Sequence, residues 1–176
     1  MAKTKPKRSL VPVITWAFIA LTLVVGVVIA RSAKHKERAA AVGQVNQPVS
    51  VSGNPLEKLP ESGADPAVGV KAPELRGAGF DGSPVTIGAV SEKRTLIAFV
   101  AHWCPHCNRE VPRIITWWGS SARPSDLNLV AVSTAVDKSL PHYPPSTWLQ
   151  DEHWTEPVMA DSVAQEAASA YGLTGS

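Results

Sequence analysis

The sequence predicts an α/β domain, a parallel βαβ core with an N-terminal hairpin, preceded by one apolar membrane-spanning segment and a tether. Three observations carry this. Two short apolar runs, residues 95–100 (Thr-Leu-Ile-Ala-Phe-Val) and 127–132 (Leu-Asn-Leu-Val-Ala-Val), read as strands of a parallel sheet, the first buried on both faces. Between them Val111, Ile114, Ile115 and Trp118 recur at the spacing of one helical face. Strand, helix and strand in that order make a right-handed crossover.

Taken in order, residues 1–9 hold Lys3, Lys5, Lys7 and Arg8 and form a basic cytoplasmic N-terminus. The uncharged apolar segment 10–30, opening at Leu10 and ending at Ala30, spans roughly 31 Å as a helix, enough to cross a bilayer. A secretory signal shares these features, and Val28 and Ala30 would suit a cleavage site, but the apolar run exceeds the usual length and favours an uncleaved signal-anchor. Arg31, Lys34, Lys36 and Arg38 follow the segment and nearly balance the basic residues before it. Loop charge therefore leaves the orientation open, and chemistry decides it: a cysteine pair working on disulfides is most useful outside the cytosol, which favours a cytoplasmic N-terminus and an exported domain. These residues read as a basic flank on the anionic leaflet. Residues 31–69 turn to Ala, Val, Ser, Gly, Asn and Gln, with Pro48, Pro55, Pro60 and Pro66 and, from Ala39 onward, no aromatic residue. Such a stretch is expected to be an extended, flexible linker.

The domain is expected over 70–176. Residues 70–75 open it, Asp81-Gly82-Ser83 makes a turn, and residues 84–88 form the second strand of a hairpin. After the helix and the run 127–132 come a proline-rich loop at 141–145, a short helix at 146–153 and a third strand at 157–160. Ser162-Val-Ala-Gln165 has the form of a capping box, with Val163, Ala167 and Tyr171 on one face and Gly172 beyond the end. Charge is uneven: residues 1–69 carry 9 basic and 4 acidic side chains, residues 70–176 carry 8 and 11. A mildly acidic domain gives no basic patch for nucleic acid.

Both cysteines of the chain lie in the stretch 101–107, Ala-His-Trp-Cys-Pro-His-Cys, where the first buried strand runs into the helix. Pro105 fits the first helical turn. Cys104 then sits at the helix N-terminus, accessible, where partial positive charge and unpaired N–H groups favour a thiolate. Cys107 falls one turn before Val111 and is drawn inward. The pairing assigns Cys104 as nucleophile and Cys107 as the thiol that resolves a mixed disulfide, the two forming a redox-active disulfide. His106, between them, adds positive charge or a hydrogen bond to the thiolate, or is merely a solvated helix residue. Trp103 is expected to cover the disulfide, and Pro112 to kink the helix. His102 reads as an exposed loop residue.

Residues 99–112 (Phe-Val-Ala-His-Trp-Cys-Pro-His-Cys-Asn-Arg-Glu-Val-Pro) resemble the active-site segment of TlpA-like, membrane-anchored thioredoxin-fold oxidoreductases. Further matching stretches lie at 70–75, Asp81-Gly82, 128–133, 157–161 and Tyr171-Gly172, so the likeness covers roughly residues 68–176. The Pro105-His106 dipeptide is a departure, resembling DsbA-type oxidants instead. The resemblance implies a bacterial thiol-disulfide oxidoreductase with its domain on the extracytoplasmic side of the cell membrane. It would exchange electrons with protein thiols and disulfides of that space and with a membrane redox partner. It also gives Glu110 a proton-transfer or thiol-tuning role, beside the plainer reading of an ion pair with Arg113. In the resembled family a cis-proline loop, two antiparallel strands and a helix follow the Tyr-Gly-x-x-Gly segment. With the sequence running only to Ser176, those strands are expected to be missing and the run 95–100 to be an exposed edge.

Direction of electron flow stays open. The Pro-His dipeptide points to oxidation or isomerisation, the TlpA-like frame to reduction in cytochrome c or metallocentre maturation. A non-enzymatic copper- or protein-binding module is the alternative of another class, since His102, Cys104, His106 and Cys107 offer nitrogen and sulfur ligands. Zinc is disfavoured because His142 and His153 stand alone and supply no second ligand pair. No metal and no cofactor is expected. Peroxiredoxin chemistry is disfavoured too, because Ile97 and Ala101 stand where its Pro-x-x-x-Thr-x-x-Cys pattern needs Pro and Thr.

Overall fold

The computed structural model describes residues 44–88 and 93–173, all within one compact unit. The apolar segment 10–30 lies outside the described residues, among which no helix is long and apolar enough to cross a membrane. Among the described residues six strands form two sheets. An antiparallel sheet contains β1 (Ser50–Ser52), β2 (Glu74–Ala78) and β3 (Pro84–Ile87) in that order; a parallel sheet contains β4 (Arg94–Val100), β5 (Leu127–Ser133) and β6 (Val158–Ala160). The helices are α1 (Pro105–Trp118), α2 (Pro145–Asp151) and α3 (Glu166–Ala170). Strand β4, helix α1 and strand β5 form the expected βαβ unit, and β2 and β3 the expected hairpin, registered Leu75 to Ile87 and Ala78 to Pro84.

Alternation along β5 builds the layers. Val130 and Val132 face one side with Met159, Leu75, Ile87 and α3 residues Ala167 and Ala170. Ala131 faces the other, with Val100, Val111 of α1 and Trp148 and Leu149 of α2. The central sheet is thus covered by α1 and α2 on one face and by the hairpin and α3 on the other. Helix α1 runs on through Pro112, and Thr116 Oγ1 donates to the Pro112 carbonyl at 2.8 Å.

Four sequence expectations are corrected. The run 95–100 is not buried on both faces: β4 pairs only with β5 among the described residues, and of its residues only Val100 is fully buried, while Leu96 is exposed. The linker 31–69 is not free throughout. Its residues 50–52 pair with β2, Val49 enters the core, and the Leu56 N–H donates to the Ala170 carbonyl at 2.9 Å. Composition missed this because a few apolar side chains suffice when a sheet edge stands ready. The helix after β6 starts not at Ser162 but at Glu166, with Val163 at 85% exposure. Asp161 caps it instead: the buried carboxylate accepts from the Ala167 and Ala168 N–H groups at 2.9 and 3.2 Å. Finally His102, expected exposed, is fully buried.

Candidate active site

Strand β4 ends at Val100, and a tight turn, closed by the Cys104 N–H donating to the Ala101 carbonyl at 3.0 Å, leads straight into α1. Cys104 is the N-cap, extended at φ −73° and ψ 120°, and Pro105 follows as the first helical residue. The geometry follows from the sequence. Proline disfavours helical backbone in the residue before it and costs nothing at the first turn.

One turn of helix separates two sulfurs in opposite surroundings. Cys104 closes no full side-chain capping bond, yet its thiol is held below the ordinary cysteine range, chiefly by the Cys107 amide. The Cys107 side chain, the His106 amide and the Arg109 guanidinium act in the same direction. Cys107 is half-buried against the core cluster that holds Val100, Val111 and Ala131, and this burial pushes its thiol up. The Ala101 N–H faces its Sγ at 3.5 Å. Both thiols are free.

The surrounding residues divide into those near the sulfurs and those turned away. Arg109 donates to His106 Nδ1 at 2.9 Å, so the imidazole is an acceptor there and the positive charge beside the thiolate belongs to Arg109. Sequence reading offered His106 for that charge or for a hydrogen bond, beside the plainer reading of a solvated helix residue, and did not single out Arg109. The signal was available, since His106 and Arg109 stand three apart on one helix. Trp103 is half-buried and its Nε1 donates to the Ala135 carbonyl at 2.7 Å, fastening it to the loop after β5. Glu110 turns to solvent and pairs with Arg113 at 2.7 Å. Asn108 went unnoticed in the sequence; its Nδ2 donates to the His102 and Cys104 carbonyls at 3.2 and 2.9 Å. Trp117 and Trp118 lie at the far end of α1, where Arg123 stacks 4.3 Å over Trp118. Trp148 is core, and Trp154 donates to the Glu156 carbonyl.

No group of three or more His, Cys, Asp or Glu side chains converges as a metal site among the described residues. His102 in particular has both ring nitrogens engaged by backbone. What the arrangement offers chemically is an accessible, readily ionised sulfur with a second, protonated sulfur one turn behind it.

Comparison with protein families matches residues 68–176 to the AhpC/TSA family. The chain belongs to the AhpC/TSA family. Its fold is therefore the thioredoxin-like redoxin fold, and the protein is a thioredoxin-like redox enzyme in the general sense of that family. Comparison with curated proteins gives no significant match. Within AhpC/TSA membership, Cys104 occupies the helix N-terminus, while Ile97 and Ala101 remain where a peroxidatic pattern would place Pro and Thr.

Proposed function

We propose that this protein is a thiol-disulfide oxidoreductase of the bacterial cell membrane. Residues 10–30 anchor it, with the domain on the extracytoplasmic side exchanging disulfides with exported proteins and with a membrane redox partner. The contrast between Cys104 and Cys107 carries the reading: one sulfur is poised to ionise, the other to stay protonated behind it. The Cys104 thiolate attacks a substrate disulfide, forming a mixed disulfide and releasing one substrate thiolate. Cys107 then gives up its proton and attacks Cys104 Sγ, expelling the second substrate thiol. The substrate disulfide is thereby reduced by two electrons and the Cys104–Cys107 pair oxidised; the reverse sequence oxidises a substrate dithiol.

Stabilising the Cys104 thiolate stabilises the reduced pair, and together with the Pro105-His106 dipeptide this favours the oxidising direction. Equilibration of the full-length chain with glutathione tests both points. A potential near the DsbA end, about −120 mV, supports oxidation; one near the thioredoxin end, about −270 mV, supports reduction of apocytochrome or metallocentre thiols. Failure to form a reversible Cys104–Cys107 disulfide, or alkylation of Cys104 no faster than a cysteine in an unstructured peptide, sinks the proposal. AhpC/TSA membership raises peroxide reduction as a second reading. Rapid single-turnover oxidation of Cys104 by hydrogen peroxide would favour it, and peroxide reactivity no greater than that of a free thiolate would remove it.

A further inference from the structure

The turn that delivers Cys104 has His102 and Trp103 as its two middle residues, and both are fastened to the same loop. His102 is fully buried. Its Nε2 accepts the Asp137 N–H at 3.3 Å, so Nδ1 carries the proton and donates to the Pro141 carbonyl at 2.6 Å. The ring of Tyr143 lies edge-on to the imidazole, centroids 5.9 Å apart. Trp103 adds its bond to the Ala135 carbonyl. The loop's backbone is bent to receive them: Ala135 and His142 adopt φ of 50° and 62°, left-handed values that residues other than glycine rarely take. From the helix side, Asn108 grips the carbonyls of His102 and Cys104.

A buried imidazole serves packing no better than an apolar ring would, and burying its polar atoms is unfavourable unless each is satisfied. Here each is satisfied by main chain 35 and 39 residues away. Such fixed partners define one position of the ring, and through it one position of the turn. We propose that His102 is a positioning residue for the Cys104/Cys107 couple. It locks the loop 135–143 onto the active-site turn, and so holds Cys104 Sγ at the helix N-terminus and the Ala101 N–H against Cys107 Sγ. The inference rests on the thiol-disulfide reading above and deepens it. Freed from the loop, the turn lets both sulfurs drift from the backbone amides that distinguish them.

The test uses the full-length chain in detergent micelles, with His102→Phe, which fills the volume without hydrogen bonds, and His102→Asn, whose amide restores a donor towards Pro141. The glutathione equilibrium constant of the couple and the pH profile of Cys104 alkylation are measured alongside thermal unfolding. In a His102→Phe variant that still unfolds cooperatively, the equilibrium constant and the neutral-pH alkylation rate should each change roughly threefold or more, the scale on which small misplacements of reacting groups are felt. His102→Asn should recover part of that change. A folded His102→Phe variant with unaltered equilibrium constant and alkylation profile overturns the inference. Should His102→Phe fail to fold, hydrogen exchange in the unmodified chain decides. Protection of the Asp137 amide supports the lock, and exchange at the rate of an unstructured peptide overturns it. A wild-type pair that never equilibrates with glutathione defeats the functional reading instead, so the two failures are distinct.

Discussion

Arg109 is the side chain through which Cys104 can be tuned without touching either sulfur. Its guanidinium helps hold the thiol low and also ties down His106 Nδ1. Removing it in Arg109→Gln withdraws positive charge from the thiolate, so ionisation shifts to higher pH. The pH profile of Cys104 alkylation should move upward, and the rate at neutral pH should fall a few-fold. At the same scale, Cys107→Ala should trap a stable mixed disulfide on Cys104 when glutathione disulfide is added, visible as an added glutathione mass. Cys104→Ala should give almost none on the half-buried Cys107. Sequence alone made the place of Cys104 at the helix N-terminus legible, because Pro105 and the helical spacing are local signals. It could not show His102, whose partners are remote in sequence and meet it only through the fold.

Among the elements, α3 shows most plainly where local pattern loses to tertiary contact. Ser162 and Gln165 carry the letters of a capping box, and Ser162 Oγ does accept the Glu166 N–H at 3.2 Å. The stronger acceptor is Asp161. Beyond the two α3 amides, its carboxylate takes the Ser162 N–H at 2.8 Å and the Thr134 hydroxyl at 2.7 Å. Four donors onto one buried carboxylate draw the chain round before the helix can begin. Asp161→Ala leaves them all without an acceptor and should lower stability by about 3 kcal/mol or more, read from urea unfolding. The strands of the parallel sheet, by contrast, were read within a residue or two of their ends. Their apolar runs are contiguous and need no distant partner to be recognised.

For the molecule as a whole, the surprise is the segment before the hairpin. Asn46 Nδ2 and the Gln47 N–H both donate to the Asp161 carbonyl, β1 extends the antiparallel sheet, and Val49 closes the core beside Leu75 and Met159. The segment then passes α3, where Gly172 at φ 72° leaves no room for a side chain: a Cβ there would meet the Glu57 carbonyl at 2.5 Å. Val49→Ala should cost about 2 kcal/mol in denaturant unfolding. A fragment starting at residue 70, the boundary composition suggested, should unfold at lower urea than one starting at residue 44. Equal midpoints would show the segment to be dispensable. Low aromatic content and many prolines hid this role, because polar residues can complete a sheet edge through backbone alone.

The half-buried sulfur has a built-in sense of order. Burial is the first cause of its reluctance to ionise, but Cys104 itself contributes two others, by hydrogen bond and by charge. Once Cys104 is tied up in a covalent adduct, its negative charge is gone and both contributions vanish with it. Under the proposed exchange, the second thiol therefore becomes easier to deprotonate only after the first has reacted, and the two ionisations are timed by the chemistry they serve.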